Sequence, residues 1–325
     1  MSTRLALIGA GAIAGAYADV VTGVDELAAI AVADPRAEAA VELAQRIGCV
    51  AFDRPEDVLQ LAPDAVVLCT PPVTHPPLAE YFLDQGVAVL CEKPLAVDGD
   101  TAAAMVATAE RVGVLLGMAT KFRFCTDVAV ARAMLHEGRI GRLRLAEVSF
   151  TADVDMARRW NSDPDVSGGG VVIDNGTHAV DLVRFVAGTI SEVLAVEHAR
   201  PPGSAVEHTA VLHLRAADAD ATVDLSWSID KSLPDFVRLY GTEGEIRVGW
   251  RASAWRERGH DWRRIGAGYD KLPAMRGALA QFCRAVRAHE PLTVPAADAV
   301  AAARVVDACY ASMRHGGWVK VADPL

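Results

Sequence analysis

An apolar run at residues 3–8 leads directly into Gly9-Ala10-Gly11-Ala12-Ile13-Ala14, a G-x-G-x-x-A turn. In a strand-to-helix turn of this kind, the first glycine permits the tight turn and the second lets the backbone approach a phosphate. The following helix N-terminus offers N–H groups to the pyrophosphate. The hexamer therefore predicts a dinucleotide-binding turn in which Gly9, Gly11, Ala12 and Ile13 contact the cofactor.

A second apolar run, residues 26–33, ends at Asp34, 20 residues beyond Ala14. A carboxylate at this place accepts hydrogen bonds from the adenosine ribose and repels a 2′-phosphate, so it predicts NAD as the cofactor. Arg36 keeps NADP open as the weaker alternative. Asp34 could also serve only as the cap of the helix that follows Pro35.

Periodicity divides the chain into two predicted domains. Residues 1–120 alternate apolar strands with helices, which predicts an α/β Rossmann domain that binds NAD. Residues 121–325 change to β-type alternation with flanking helices, which predicts an α+β domain with an open-faced, mainly antiparallel sheet for substrate binding and oligomerisation. The predicted strands are 3–8, 26–33, 64–69, 87–91, 114–119, 143–152, 190–199, 206–216, 220–229, 235–240 and 243–249. The predicted helices are 11–22, 35–47, 74–85, 98–112, 126–138, 177–187, 272–289 and 296–314.

Composition excludes several classes of function. Residues 1–120 carry 6 Lys and Arg against 16 Asp and Glu, which argues against nucleic acid as a partner. No apolar run approaches the roughly 20 residues of a transmembrane helix, so we expect a soluble, cytoplasmic protein without a membrane partner. The six cysteines are scattered without a C-x-x-C pair, so neither a disulfide framework nor a metal site is predicted.

Two polar elements stand where chemistry is expected. Lys93, in Cys91-Glu92-Lys93-Pro94, follows the fifth predicted strand, and open α/β sheets bind ligands at the carboxyl ends of their strands. Asp174 and His178 are four residues apart, so a helix spanning both would place them on one face. Because the helix is predicted only from about Thr177, their proximity is not required. Lys93 as a surface residue paired with Glu92, and Asp174 with His178 as a structural cap, remain the alternatives.

Other candidates come from the turn after the fourth strand and from an irregular polar stretch. Thr70, Pro71 and His75 are predicted to line the cofactor crevice, although His75 could instead pack on the sheet. Trp160 could stack on a sugar face or lie in the core.

Together these motifs resemble the glucose–fructose oxidoreductase/inositol dehydrogenase (Gfo/Idh/MocA) family over nearly the whole chain. The residues that carry the resemblance are the opening glycine turn, Thr70 to His75, Glu92-Lys93-Pro94, Arg123-Phe124, Gly138 to Gly141, Gly168 to Asp181 and Gly241 to Gly244.

The resemblance implies a catalytic set of Lys93, Asp174 and His178, with Glu92 and Lys93 also at the cofactor. It implies substrate contacts from Lys93, Asp174, His178, Lys121 and the loop around Asp155, Arg159 and Trp160. Many relatives have asparagine where this chain has Lys121, and the loop is unusually rich in charge, which leaves the substrate open.

The expected function is NAD-dependent oxidation of a secondary hydroxyl of a sugar, aminosugar, aminoglycoside or cyclitol, or the reverse reduction. A homodimer or homotetramer is expected. The composition, rich in Ala and Arg, suggests a high-GC genome, where such enzymes often serve antibiotic-sugar pathways. The alternatives are an NAD-dependent glycosidase that acts by transient oxidation and a non-catalytic dinucleotide-binding regulatory protein.

Overall fold

The computed structural model describes residues 2–157, 159–198 and 200–322. The chain divides into two compact units. The first comprises residues 1–96, 100–121 and 272–300, and the second comprises residues 97–99, 122–271 and 301–325. Among the described residues, no helix is both long enough and apolar enough to cross a bilayer.

The first unit contains a six-stranded parallel sheet in the order β3-β2-β1-β4-β5-β6. This order reverses direction between β1 and β4, which is the switch point where dinucleotides bind in doubly wound sheets. The strands are β1 (Thr3–Ile8), β2 (Leu27–Ala33), β3 (Val50–Phe52), β4 (Ala65–Leu68), β5 (Ala88–Cys91) and β6 (Leu116–Met118). The helices are α1 (Ala12–Val21), α2 (Ala37–Ile47), α3 (His75–Asp84) and α4 (Gly99–Val112).

A late segment of the chain also belongs to the first unit. Helix α8 (Lys271–Ala288) buries Met275, Leu279, Phe282 and Cys283 in the same core as β1 and α1. The order along the chain predicts residues 272–300 in the second domain, because they follow its strands. The structure differs here, since the apolar face of α8 is buried in the first unit's core.

The second unit is built on a nine-stranded sheet in the order β14-β13-β12-β11-β7-β10-β9-β8-β15. Neighbours pair antiparallel except β7 and β10, which are parallel. The strands are β7 (Leu143–Thr151), β8 (Ile190–Glu197), β9 (Thr209–Ala216), β10 (Asp220–Ser226), β11 (Asp235–Gly241), β12 (Gly244–Gly249), β13 (Ser253–Glu257), β14 (Arg263–Gly266) and β15 (Val319–Lys320). The helices are α5 (Thr126–His136), α6 (Pro164–Ser167), α7 (Val171–Ala187) and α9 (Ala296–His315).

One face of this sheet packs on helix α7. The strand side chains on this face, such as Val193, Leu212 and Val223, are fully or almost fully buried, whereas alternate residues such as Val196 remain exposed. The predicted α/β plus open-faced antiparallel architecture is therefore confirmed. The sequence does not predict the short strands β3, β13, β14 and β15, which have too few residues to show an alternating pattern.

Candidate active site

The glycine turn has the geometry that a dinucleotide requires. Gly9 adopts φ +100°, and a Cβ there would lie 2.9 Å from the carbonyl oxygen of Cys69. Gly11 is the N-cap of α1, and a Cβ there would meet no described atom within 4 Å. Ala12 is exposed and Ile13 half-buried. The backbone N–H groups at the start of α1 and the open space at Gly11 fit a pyrophosphate.

Asp34 is buried and already hydrogen-bonded. Its carboxylate accepts the N–H of Ala10 at 2.7 Å and the N–H of Arg36 at 2.9 Å. The Arg36 guanidinium donates to both oxygens, at 3.0 and 3.1 Å. Burial raises the pKa of Asp34, but the hydrogen bonds from Arg36 and Ala10 outweigh it and hold that pKa below its ordinary value. Asp34 is therefore ionised, with its charge compensated by Arg36.

His75 is fully buried, which corrects its predicted role at the cofactor. Its Nε2 lies 2.8 Å from the carbonyl oxygen of Thr70, and its Nδ1 lies 3.0 Å from that of Pro94. Burial lowers the pKa of the ring, and a neutral ring can donate to only one of the two carbonyls. With both nitrogens facing backbone oxygens, His75 acts on the turn rather than on a ligand. Thr70 and Pro71, which precede it, are half-buried.

Glu92 and Lys93 follow β5, as predicted, and both are half-buried. The Glu92 carboxylate accepts the hydroxyl of Tyr17 at 2.9 Å and the N–H of Lys93 at 3.2 Å. The Lys93–Pro94 peptide bond is cis. Glu92 is therefore engaged by α1 as well as by its own neighbour.

In the second unit, Asp174 and His178 lie one turn apart on α7. The helix begins at Val171, not near Thr177 as the sequence predicted, so both residues lie within it. His178 is 9% exposed, and its ring stands edge-on to Phe122, with centroids 5.0 Å apart. The carboxylate and the imidazole therefore share one helix face.

A buried ion pair holds helix α7 on the face that carries Asp174 and His178. Arg123 donates to both oxygens of Asp181 at 2.6 to 3.0 Å, and both side chains are less than 10% exposed. The guanidinium also lies 5.1 Å from the centre of the Phe185 ring. A two-point bond of this kind restricts rotation of α7.

The N-terminus of α7 is capped by a residue that the sequence analysis missed. The carboxylate of Glu207, 2% exposed, accepts the N–H groups of Gly170 and Val172 at 3.0 Å and the hydroxyl of Tyr310 at 2.9 Å. Burial raises the pKa of Glu207 against these hydrogen bonds. A Cβ on Gly170 would lie 2.1 Å from the Glu207 carbonyl oxygen, which explains a glycine at that position.

The polar loop after β7 is largely exposed. Asp155 accepts the N–H of Ala157 at 3.0 Å, and Asp163 caps α6 through the N–H of Asp165. Arg159 is exposed and Trp160 is 44% exposed, which removes the alternative of a core tryptophan. Arg158 lies outside the described residues. Lys121 is half-buried at the start of a 3-10 turn.

The sequence does not predict three functional candidates, which are Tyr17, Glu207 and Tyr310. Arg123 and Asp181 lie in motifs that carry the family resemblance, but nothing in the sequence predicts their ion pair. Tyr17 occupies a buried position of α1, where the apolar pattern predicts an aromatic residue of the hydrophobic core rather than a functional one. Glu207 and Tyr310 bond to a helix far away along the chain, so local patterns carry no signal for them. No group of three potential metal ligands occurs in the described parts of the chain.

Two family profiles match the chain. Residues 3–120 match the oxidoreductase family with an NAD-binding Rossmann fold, and residues 128–247 match the GFO/IDH/MocA C-terminal domain. D-xylose 1-dehydrogenase (NADP(+)) 2 of Haloferax volcanii is 30% identical over 266 residues, which cover 79% of this chain and 80% of that relative. The chain belongs to the GFO/IDH/MocA family.

Other GFO/IDH/MocA proteins are similar over most of their length. Inositol 2-dehydrogenase of Rhizobium meliloti is 27% identical over 76% of this chain and 75% of its own length. The structure of GenD2 from gentamicin A biosynthesis, in complex with NAD, has a TM-score of 0.87 and 26% identity, covering 99% of this chain and 97% of GenD2.

Membership of the GFO/IDH/MocA family confirms the predicted oxidoreductase class and the NAD cofactor. The relatives are dehydrogenases of sugars and cyclitols, so the function is confirmed at that level. The preference for NAD over NADP and the individual site residues stay predictions.

Proposed function

We propose that this protein oxidises a secondary hydroxyl of a sugar, aminosugar or cyclitol to a ketone, with NAD as the hydride acceptor. The observation that carries the proposal is the pairing of Asp174 with His178 on one face of α7, in a chain whose Lys93 follows β5 of a dinucleotide-binding sheet. These are the residue types that alcohol oxidation requires: a proton acceptor, a carboxylate beside it, and a cation for the oxygen.

The residues of the first unit fit a dinucleotide. The N–H groups at the start of α1 and the space at Gly11 suit the pyrophosphate, and Asp34 suits the adenosine ribose. Thr70, Pro71, Glu92 and Lys93 are the further candidates at the nicotinamide end. NAD, when bound, supplies the acceptor for a hydride from the carbinol carbon.

Each proposed catalytic residue has one task. The His178 imidazole takes the hydroxyl proton as the carbon–oxygen double bond forms, and it returns the proton in the reverse direction. The Lys93 ammonium donates a hydrogen bond to the same oxygen and so offsets the alkoxide charge. The Asp174 carboxylate accepts a hydrogen bond from a substrate hydroxyl and orients the His178 imidazole and the Lys93 ammonium.

We further propose a cationic aminosugar or aminoglycoside as the favoured substrate within this class. The loop from Asp153 to Asp165 carries four aspartates, and GenD2, from gentamicin A biosynthesis, is 26% identical to this chain. Lys121, Asp155, Arg159 and Trp160 are the proposed contacts. Trp160, exposed, offers a flat apolar ring to a sugar face. Because Asp155 and Asp163 also serve local turns and all four aspartates are exposed, neutral hexoses and inositols are the competing class.

We propose that the enzyme is a homodimer or homotetramer formed through the open face of the sheet, roughly residues 190–250. This face carries exposed Val196 beside half-buried Leu194 and Val211, and ion pairs such as Arg215 with Glu192. A second copy of the chain supplies the same mixture of apolar and paired charged groups and would cover the face symmetrically.

The test is a panel of hexoses, inositols, aminosugars, aminoglycosides and nucleotide sugars, each scanned for NADH absorbance with NAD. A substrate should be found, and Lys93→Met, Asp174→Asn and His178→Asn should each lower kcat about 100-fold or more. Asp174→Asn and His178→Asn should leave NAD binding intact. Release of a free sugar without net NADH would instead indicate a glycosidase. NAD binding without turnover of any compound would indicate a regulatory protein.

A further inference from the structure

We propose that Tyr17 and His75 are positioning residues that hold the two residues flanking Lys93. This inference rests on the proposed role of Lys93 as the group that hydrogen-bonds the reacting oxygen. Neither residue is assigned a part in the reaction itself.

Tyr17 holds the residue before Lys93. Its hydroxyl, on α1, donates to Oε1 of Glu92 at 2.9 Å, and Oε2 of Glu92 accepts the backbone N–H of Lys93 at 3.2 Å. The Glu92 N–H continues the sheet to the carbonyl of Leu68 at 3.0 Å. One carboxylate therefore connects the helix that follows the glycine turn to the peptide N–H of Lys93.

His75 holds the residue after Lys93. Its Nδ1 faces the carbonyl oxygen of Pro94 at 3.0 Å, while its Nε2 faces that of Thr70 at 2.8 Å. Because a neutral ring donates to only one of these carbonyls, His75 hydrogen-bonds one of the two turns and packs against the other. Since Thr70 and Lys93 are both proposed at the nicotinamide end, one side chain sets the spacing of two elements of that site.

Burial separates these two residues from the chemistry. Tyr17 is 2% exposed and His75 is 0% exposed. Burial, with the neighbouring Glu92, raises the pKa of Tyr17 well above its ordinary value, so its hydroxyl stays a donor at any working pH. Both side chains therefore act on Lys93 through the backbone and through Glu92. An error of about 1 Å in the placement of a catalytic group can cost about 100-fold in rate.

The first test compares Tyr17→Phe with Tyr240→Phe. Both changes remove one tyrosine hydroxyl that donates to a glutamate, at 2.9 Å to Glu92 and at 3.0 Å to Glu147. We expect Tyr17→Phe to lower kcat about tenfold or more with KM for NAD within about twofold, and Tyr240→Phe to change neither. His75→Gln, which keeps a donor, should lower kcat less than His75→Ala. Equal kcat values for Tyr17→Phe and Tyr240→Phe would overturn the proposal.

A second test needs no turnover. The chain has only five lysines, Lys93, Lys121, Lys231, Lys271 and Lys320, so acetylation by acetic anhydride can be followed at each by mass spectrometry of the NAD-loaded protein. In Tyr17→Phe the acetylation rate of Lys93 relative to Lys231 should rise about threefold, because the released side chain populates solvent-exposed positions.

The two tests separate this inference from the proposed function. If no compound of the panel is oxidised, the proposed function fails, but the acetylation rate still reports whether Tyr17 holds Lys93. If Lys93→Met remains active, the proposed catalytic role of Lys93 is wrong, but the acetylation rate still reports whether Tyr17 holds Lys93. An unchanged acetylation rate in Tyr17→Phe, with an active wild type, refutes the inference alone.

Discussion

The guanidinium of Arg36 closes over the carboxylate of Asp34 through hydrogen bonds of 3.0 and 3.1 Å. Asp34 is buried, whereas the Arg36 side chain is 66% exposed. Asp34, the residue proposed to bind the adenosine ribose, is therefore paired with a positive charge from its own chain. This pair moderates the repulsion that a bare carboxylate would exert on a 2′-phosphate.

We expect NAD to bind more tightly than NADP, and we expect Arg36 to set the ratio of the two dissociation constants. Asp34→Ala should lower this ratio because it removes the ribose acceptor and the charge that repels the 2′-phosphate. Arg36→Ala should raise it, by up to about tenfold, because the Asp34 charge is then uncompensated. Dissociation constants from fluorescence titration measure this. Arg111→Ala, which breaks an exposed pair with Asp84 at 3.0 Å, is the control. Equal or tighter NADP binding by the wild type contradicts the prediction.

The two glycines of the opening turn should respond differently to alanine. Gly9→Ala forces a side chain into φ +100° and to 2.9 Å from a backbone oxygen, so it should lower the melting temperature clearly. Gly11→Ala meets no described atom, so it should cost at most about 1 kcal/mol of stability yet weaken NAD binding strongly. Calorimetry with and without NAD measures both. Unchanged NAD affinity in Gly11→Ala would show that no phosphate approaches there.

Glu207 should contribute to stability in a pH-dependent way. Glu207→Ala leaves the N–H groups of Gly170 and Val172 without their acceptor, at a cost of about 1–3 kcal/mol in the free energy of unfolding. The folded-state pKa of Glu207 is raised, so its stabilising contribution is complete below the ordinary glutamate pKa and is lost as pH rises through the folded value.

Glu207→Gln does not titrate, which isolates this effect. The stability advantage of the wild type over Glu207→Gln should therefore shrink as pH rises from the ordinary glutamate pKa through the raised folded-state pKa, as measured by urea unfolding. A difference that stays constant with pH would mean that the buried carboxylate does not titrate in this interval.

A cationic substrate should be preferred if the aspartate-rich loop faces it. One charge-assisted hydrogen bond contributes about 1.5–3 kcal/mol, so kcat/KM for an aminosugar should exceed that for its neutral hydroxyl analogue about tenfold or more. Asp155→Asn should reduce the preference. Because the aspartates are exposed, added salt should reduce it too. An absent preference, or one for anionic nucleotide sugars, would rule this substrate class out.

Sedimentation should give a dimer or tetramer at micromolar concentration. Val196→Asp introduces a charge at a 46% exposed position of the open sheet face and should shift the assembly toward monomer. Val41→Asp makes the same change at a 43% exposed position of α2 and should not. A wild-type monomer would refute the proposed interface.

Local patterns predicted most of the fold because most of its elements are long and strongly periodic. The glycine turn, Asp34 and Lys93 could be placed at strand ends from sequence alone, since each directly follows an apolar run. His75 could not, because a histidine at the start of a helix looks the same whether it faces a ligand or two backbone carbonyls.

The start of α7 shows why the other features of the fold and the site could not be predicted from local sequence patterns. Gly168-Gly169-Gly170 and Asn175-Gly176 are poor helix formers, so the sequence predicts a helix only from about Thr177. The first turn is stabilised instead by Glu207, 37 residues beyond Gly170. The sequence also does not predict which unit α8 packs in, because the apolar pattern of an amphipathic helix does not specify which sheet it covers.

The packing of α8 in the first unit has a consequence for synthesis of the chain. When residues 1–121 have left the ribosome, the core of this unit still lacks Met275, Leu279, Phe282 and Cys283. Residues 122–271 must be translated first, which takes on the order of ten seconds. During that interval the nascent dinucleotide-binding sheet presents an open apolar surface that chaperones can bind. Translation pauses placed between the two parts of this discontinuous domain would lengthen that exposure.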